Sequence, residues 1–322
     1  MLTPTYVNVK SFFSSIGNTP AVNLLRDYRP GEEPIEILAI GCGDVRNILF
    51  TLWSEQHTAC ALNFTACDLD PAILARNIFL LTAITPDSSF EEIERLWRTY
   101  YHFYVTNSDL SWIREHCGKL LAVSASLSTW NDSTFRSSFK SSTETSLSEV
   151  RRVWTLYAEA RTRGDDAKVR RDIKSMYDNY YITKDGPRFA VHAVRSSGAH
   201  GIYAAETLNE AFYNFWKTGV VADNERDVTV VGQEDGGRVN PLMTISPVGS
   251  KQFNVHYGAD PLAGFHLAEV FDISQTKLAT TNSLAGMAKA QFHEWCHAFS
   301  SRIATNLVNI MHRQKQYRMR IL

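Results

Sequence analysis

The sequence predicts an α/β fold: a mostly parallel sheet with a large helical insertion and a long C-terminal helix. Three observations carry that expectation. Ile35-Glu36-Ile37-Leu38-Ala39-Ile40 is a short, nearly continuous apolar run ending at Gly41, as a buried parallel strand does. The order strand, helix, strand, helix then runs to residue 84, a βαβ pattern with a right-handed crossover. Helical spacing dominates a partly serine-rich insertion over about 88–220 and returns near the end of the 322 residues. Residues 1–34 read as an N-terminal lead-in, and 35–322 as a single elaborated domain.

The elements follow in chain order. The lead-in has turn chemistry at Ile16-Gly17-Asn18-Thr19-Pro20 and Arg29-Pro30-Gly31, with one or two helical turns between Ala21 and Asp27. After the strand 35–40, Asp44 to Trp53 reads as a helix with Ile48, Leu49 and Leu52 on one side. Ala61 to Cys67 reads as a second strand. Asp68-Leu69-Asp70-Pro71 is a helix start, because proline suits an early helical position. Ala72 to Ile84 places Ile73, Leu74, Asn77, Ile78 and Leu81 at helical spacing.

Phe90 to Tyr104 and Ser108 to Leu121 read as helices, and 124–148 as a serine-rich loop with short helices. Residues 149–183 show the stripe Val150, Val153, Trp154, Tyr157 and Ala160, with a break at Arg163-Gly164-Asp165-Asp166. Another helix is expected over 206–218. Val228 to Val231 and Gln252 to Tyr257 read as strands among glycine-rich loops. Asn282 to about Arg318 reads as a long helix whose basic end suits a helix C-terminus. No internal repeat is visible.

Composition excludes several classes. A formal net charge of −1, with 21% charged and 44% hydrophobic residues, belongs to a globular chain. That charge gives no electrostatic footprint for nucleic acid or an anionic membrane, so neither is an expected partner. It is compatible with a small polar ligand or a protein partner. Cys42, Cys60, Cys67, Cys117 and Cys296 are odd in number and form no C-x-x-C pair, which argues against a disulfide framework or a thiolate metal site. The first residues lack the basic start and apolar run of a secretory signal, and no stretch reaches the ~18 apolar residues of a membrane helix. A soluble, cytoplasmic protein is expected.

The strongest chemical signal is Gly41-Cys42-Gly43, directly after a strand and opening a helix. Glycines let a backbone approach a ligand closely, and a helix N-terminus favours anionic or polar groups. Asp68 ends the second strand, where an acidic residue is placed to hydrogen-bond ribose hydroxyls. Together ILAIGCGDVRNIL and FTACDLDPAILARN resemble the first two motifs of class I S-adenosylmethionine-dependent methyltransferases, which have a Rossmann-like sheet. On that resemblance Gly41, Gly43, Asp44 and Asp68 are the candidate cofactor-binding residues and S-adenosylmethionine the candidate cofactor. The match departs at two positions: Val45 stands where G-x-G-x-G has glycine, and Arg46 where G-x-G-x-x-G has one. Asp109 is the nearest candidate for a third, adenine-contacting acid, within a helical stretch. No N-P-P-Y motif follows, and no catalytic residue is identified.

Two further segments hold reactive side chains. His293-Glu294-Trp295-Cys296-His297 matches H-E-x-x-H, which on a helix places two histidines on one face for zinc. The extended pattern fails at Ser300 and Ile303, and no acid follows His297, so no metal site is expected. The helix is instead expected to pack through Phe292, Trp295, Cys296 and Phe299. The second segment runs from Val255 to His266. His256, Tyr257, Asp260 and His266 lie on it, and with Arg46 they are candidates to line a cleft. Asp260-Pro261 also reads simply as a turn initiator.

SIGNTPAVNLL, ILAIGCGDVRNILFTLW, CDLDPAILARNIFLL, VHYGADPLAGFHLAEVF and QFHEWCHAF together resemble a fungal family of unknown function, often found ahead of a MYND-type zinc finger. That family is similar to the N-terminal region of axonemal dynein assembly factor three. Its pattern has glycine at Gly41, aspartate at Asp44, arginine at Arg46 and a later Tyr-Gly…Asp like Tyr257, Gly258 and Asp260. The resemblance implies a cytoplasmic assembly role without an established reaction, and makes Val45-Arg46 a family feature. No cysteine–histidine cluster of MYND spacing occurs in these 322 residues. Two functions are therefore expected in competition: a protein-binding or complex-assembly module on a methyltransferase-like sheet, and an active S-adenosylmethionine-dependent methyltransferase.

Overall fold

The structure is a computed structural model. It describes residues 12–17, 19–28, 34–57, 60–135, 139–160, 165–183, 186–187, 205–222, 237–245, 255–256, 259–262, 264–265, 284–313 and 319–321. Its architecture is mixed α/β and mostly helical, with small sheets and a long C-terminal helix. The first half runs β1 (Ile35–Ile40), α1 (Arg46–Ser54), β2 (Leu62–Cys67), α2 (Pro71–Ala83), α3 (Phe90–Tyr101), β3 (Tyr104–Val105), α4 (Asn107–Val123), α5 (Leu127–Asn131), β4 (Phe139–Ser141) and α6 (Glu144–Glu159). The second runs α7 (Asp165–Tyr181), β5 (Ile182–Thr183), β6 (Gly186–Pro187), α8 (Ala205–Thr218), β7 (Arg238–Val239), α9 (Pro241–Thr244), α10 (Leu284–Arg313) and β8 (Met319–Ile321).

The main sheet is parallel, in the order β1-β2-β8-β4. Ile35 pairs with Leu62 and Ile40 with Cys67, so alternate residues of the two strands share a face. On one face Ile35, Leu62, Phe64 and Ala66 are buried. On the other, Leu38 and Ile40 stand 57% and 79% exposed. This corrects the expectation that β1 is buried on both sides. Two antiparallel pairs, β3 with β7 and β5 with β6, lie apart from the main sheet.

The helices start where local chemistry starts them. Asp70 accepts the Ala72 N–H at 2.9 Å ahead of Pro71, which opens α2. Ser89 with Glu92, and Thr106 with Asp109, form capping boxes for α3 and α4. The expected helix over Phe90–Tyr104 stops at Tyr101, because Tyr104 and Val105 pair with Val239 and Arg238. The serine-rich stretch holds α5 and β4, and α6 begins within it at Glu144. The long helix ends at Arg313, and the basic stretch beyond it yields β8 rather than further helix. The expected strand 228–231 lies outside the described residues, and of 252–257 only Val255 and His256 are described. Val255 bridges Phe13 in parallel.

Phe13, Ile16, Ala21 and Leu25 are buried, so the lead-in belongs to the core, in a chain of turns rather than helix. Trp97, Trp130, Trp154, Trp216 and Trp295 are fully buried, and ring contacts join α3 to α10 through Trp97 and Tyr101 with Phe292. Among the described residues no helix is long and apolar enough to cross a membrane.

Candidate functional site

The turn after β1 is built from its glycines. Gly41 and Gly43 have φ of 62° and 58°, the left-handed region that side chains disfavour. Among the described residues, a Cβ added at either meets nothing within 4 Å, so the turn borders open space there. Cys42 N–H donates to the Cys67 carbonyl at 3.0 Å, which ties the turn to the end of β2. Gly43 N–H donates to Asp68 Oδ2 at 3.1 Å, and Asp68 Oδ1 accepts the Asp70 N–H at 3.0 Å. Asp68 is half-buried beside Leu69, which is 93% exposed. Burial, reinforced by Asp68 and Asp44, pushes the Cys42 thiol up to about 12. It is therefore protonated at neutral pH and a poor nucleophile.

The turn is held from below by α2 and α3. Asn77 Nδ2 donates to the Gly43 carbonyl at 2.7 Å, and Tyr100 Oη donates to Asn77 Oδ1 at 2.8 Å. The same hydroxyl accepts the Val45 N–H at 3.3 Å. The sequence shows Asn77 only as a polar break in an apolar stripe, and nothing in it singles out Tyr100.

Asp44 and Arg46 sit on the inner side of the turn and bind each other. Both are buried, and Asp44 accepts from the Nε, Nη2 and backbone N–H of Arg46 and from the Gly17 N–H. Arg46 also donates to the carbonyls of Gly17 and Thr19. Burial alone raises the Asp44 carboxyl, but the Arg46 charge and these bonds outweigh it and hold it below the usual carboxylate range. The same partnership raises Arg46 against the opposing effect of burial. Two glycines make room for the guanidinium: a Cβ at Gly264 would lie 2.4 Å from Nη1, and one at Gly17 3.2 Å from Nη2. Arg46 is directed at the lead-in and at Gly264, away from the open side of Gly41 and Gly43.

The structure thus brings Gly41, Gly43 and Asp68 together and places Asp44 and Arg46 behind them. Asp260 is buried and accepts the Leu262 N–H at 2.9 Å, in the turn that leads to Gly264. His256 is half-buried, meets Phe12 edge to face at 5.3 Å, and is lowered by burial. Tyr257, Gly258 and His266 lie outside the described residues. Asp109 caps α4 and receives Arg98 through two hydrogen bonds at 3.1 and 3.0 Å.

The H-E-x-x-H side chains face other partners. His293 Nε2 lies 2.8 Å from Glu94 Oε1 and stacks on Phe90, and the exposed His297 meets Ser301 Oγ at 2.9 Å. Among the described residues no group of three His, Cys, Asp or Glu is placed to hold a metal ion.

No curated protein matches the chain, and no solved structure matches it. A family model described as a domain of unknown function (DUF4470) matches residues 15–105. The matched stretch contains the glycine turn, the buried Asp44–Arg46 pair, Asp68, and the Asn77 and Tyr100 that support them.

Proposed function

We propose that the chain is a methyltransferase-like domain acting as a protein-binding or complex-assembly module. The observation that carries this reading is the exposed apolar set Leu38, Ile40 and Leu69 around the C-terminal ends of β1 and β2. Large apolar side chains grouped at the edge where open α/β sheets take their ligands mark an interaction surface. The inward Asp44–Arg46 pair supports the same reading, because it engages the Asp44 carboxylate within the fold rather than leaving it to meet a ligand. The resemblance to a fungal, MYND-associated family and to the dynein assembly factor's N-terminal region agrees with it. The partner class is protein, and the compartment is cytoplasmic.

The second reading is an S-adenosylmethionine-dependent methyltransferase. It is favoured by the open space over Gly41 and Gly43 with Asp68 beside it. In that case the turn would face the charged amino-acid end of the cofactor, and Asp68 the ribose hydroxyls. Calorimetric titration of the folded chain with S-adenosylmethionine separates the two. Flat heats are expected for the module. Micromolar binding that disappears in Asp68→Ala, with the fold checked by circular dichroism, would overturn the first reading in favour of the second. On the module reading, Ile40→Ser with Leu69→Ser removes proteins that the wild-type chain retains in stoichiometric amount. Equal retention by the variant would count against this surface.

A further inference from the structure

The main sheet ends at β1 in an open edge. β1 pairs with β2 on one side, and among the described residues no strand lies on the other. The Ile35 N–H donates to the Ala61 carbonyl at 2.8 Å, which sets the alternation along the strand. Ile35, Ile37 and Ala39 turn their backbone groups to β2, so Glu36, Leu38 and Ile40 turn theirs outward. Among the described residues no hydrogen bond reaches these outward backbone groups. The side chains of the same three residues are exposed, Leu38 at 57% and Ile40 at 79%. Backbone donors and acceptors and an apolar surface are therefore offered together.

Sheet edges are ordinarily blunted by lysine, proline, a bulge or a covering segment. Residues 35–40 contain neither lysine nor proline, and all six keep an unbroken register with β2. Such an edge accepts an extended backbone laid alongside it. The residues of β1 suit a copy of β1 in that place. In an antiparallel pair centred on Leu38, Leu38 meets Leu38 and Glu36 meets Ile40. Outward groups then lie opposite outward groups, so Glu36, Leu38 and Ile40 of both copies exchange hydrogen bonds. A shift by one residue would set outward groups against groups already bonded to β2. The centred register also keeps acid from facing acid and brings the two leucines together on one face. A two-fold axis makes the contact the same on both copies. Because β1 is already extended, pairing lacks the ordering cost of a disordered peptide.

We infer that the chain forms a two-fold dimer through antiparallel pairing of β1 with β1 of a second copy. The inference rests on the reading of Leu38, Ile40 and Leu69 as an interaction surface, and it names the occupant at β1. A single strand edge is a small interface, so the dimer dissociates on dilution rather than being permanent.

The test is sedimentation velocity of the full chain over a concentration series at pH 7. The wild type should pass from monomer to dimer as concentration rises. Leu38→Lys and Leu38→Glu each place like charges opposite one another and should abolish the dimer. Both should keep the fold by circular dichroism, because Leu38 is exposed. An equimolar mixture of the two variants sets opposite charges across the axis and should restore the dimer. Hydrogen exchange needs no variant: the outward N–H groups of Glu36, Leu38 and Ile40 should gain protection with concentration, while those of Ile35, Ile37 and Ala39 stay protected throughout. A monomer at every concentration overturns the inference, and is the outcome if another segment of the chain or a different protein takes this edge. A dimer that survives Leu38→Lys, a mixture that stays monomeric, or outward N–H groups whose exchange ignores concentration overturns it equally. A monomer leaves the module reading standing, because the retention comparison with Ile40→Ser and Leu69→Ser decides that reading separately.

Discussion

At the scale of single residues, the Asp44–Arg46 pair is the feature on which the turn depends. Arg46→Ala leaves a carboxylate buried without its partner, a change that costs about 3–5 kcal/mol. Gly264→Ala keeps both charges but drives a Cβ to 2.4 Å from Nη1. The guanidinium has no slack, because Asp44, Gly17 and Thr19 all hold it, so about 1–3 kcal/mol is expected. Urea unfolding at pH 7 measures both. The pH dependence has a definite sign. Asp44 is held below its unfolded value, so its contribution is complete above about pH 4. It fades as pH falls through the lower folded value. Two histidines act in a higher window. Burial, helped by Arg98, lowers His102 from 6.5 to about 3, and burial, helped by Lys119, lowers His116 to about 4. Both are neutral in the fold and gain protons on unfolding, so stability falls as pH drops below 6.5. Asp44→Asn should leave the loss between 6.5 and 4 intact and flatten the loss below 4. An unchanged profile below 4 would count against the assignment to Asp44.

At the scale of elements, sequence legibility followed length and locality. Helices α2, α3, α4 and α6 show long apolar stripes, and each begins at a capping side chain that accepts a backbone N–H. Strands β1 and β2 have six residues each and stood out. Strands β4 and β8 have three residues each, too few for an alternation to register, and they exist only through pairing with each other and with β2. At the site, Gly41 and Gly43 were legible because a tight backbone turn demands glycine. The enclosure of Arg46 was not, because Gly17 and Gly264 come from opposite ends of the chain. The H-E-x-x-H segment was legible as a helix packed through Phe292, Trp295, Cys296 and Phe299, which are all buried. Its His293 belongs to a link between α10 and α3: Glu94 receives Lys289 Nζ at 2.6 Å and faces His293 Nε2 at 2.8 Å, all largely buried. Burial opposes the Glu94 charge, but bonding to both partners holds its carboxyl below the usual range. Glu94→Ala should cost about 1–3 kcal/mol. A double-mutant cycle with Lys289→Ala should give a coupling of about 0.5–3 kcal/mol, and strict additivity would show that the link is only a packing contact.

At the scale of the whole molecule, the sheet is closed by its latest strand. Residues 35–67 supply β1 and β2, residues 139–141 supply β4, and β8 at 319–321 lies between them. In chain order the helices between 71 and 313 thus fall between strands of one ladder, and the sheet is complete only when β8 pairs on both sides. Arg320 is the central residue of that strand, matched to Thr65 on β2 and Lys140 on β4. Proline there has no N–H to donate, and proline is excluded from central strands for that reason. Arg320→Pro should therefore weaken the whole sheet, lowering the urea midpoint by the equivalent of about 3 kcal/mol or more. Arg320→Ala keeps the backbone donor and should therefore cost less than the proline variant. If β8 is integral to one cooperative unit, the proline variant unfolds in a single earlier transition that tryptophan fluorescence and far-ultraviolet dichroism report together. A midpoint unchanged by proline would mean that β1 and β2 stand without β8, and that the fold does not depend on its last strand.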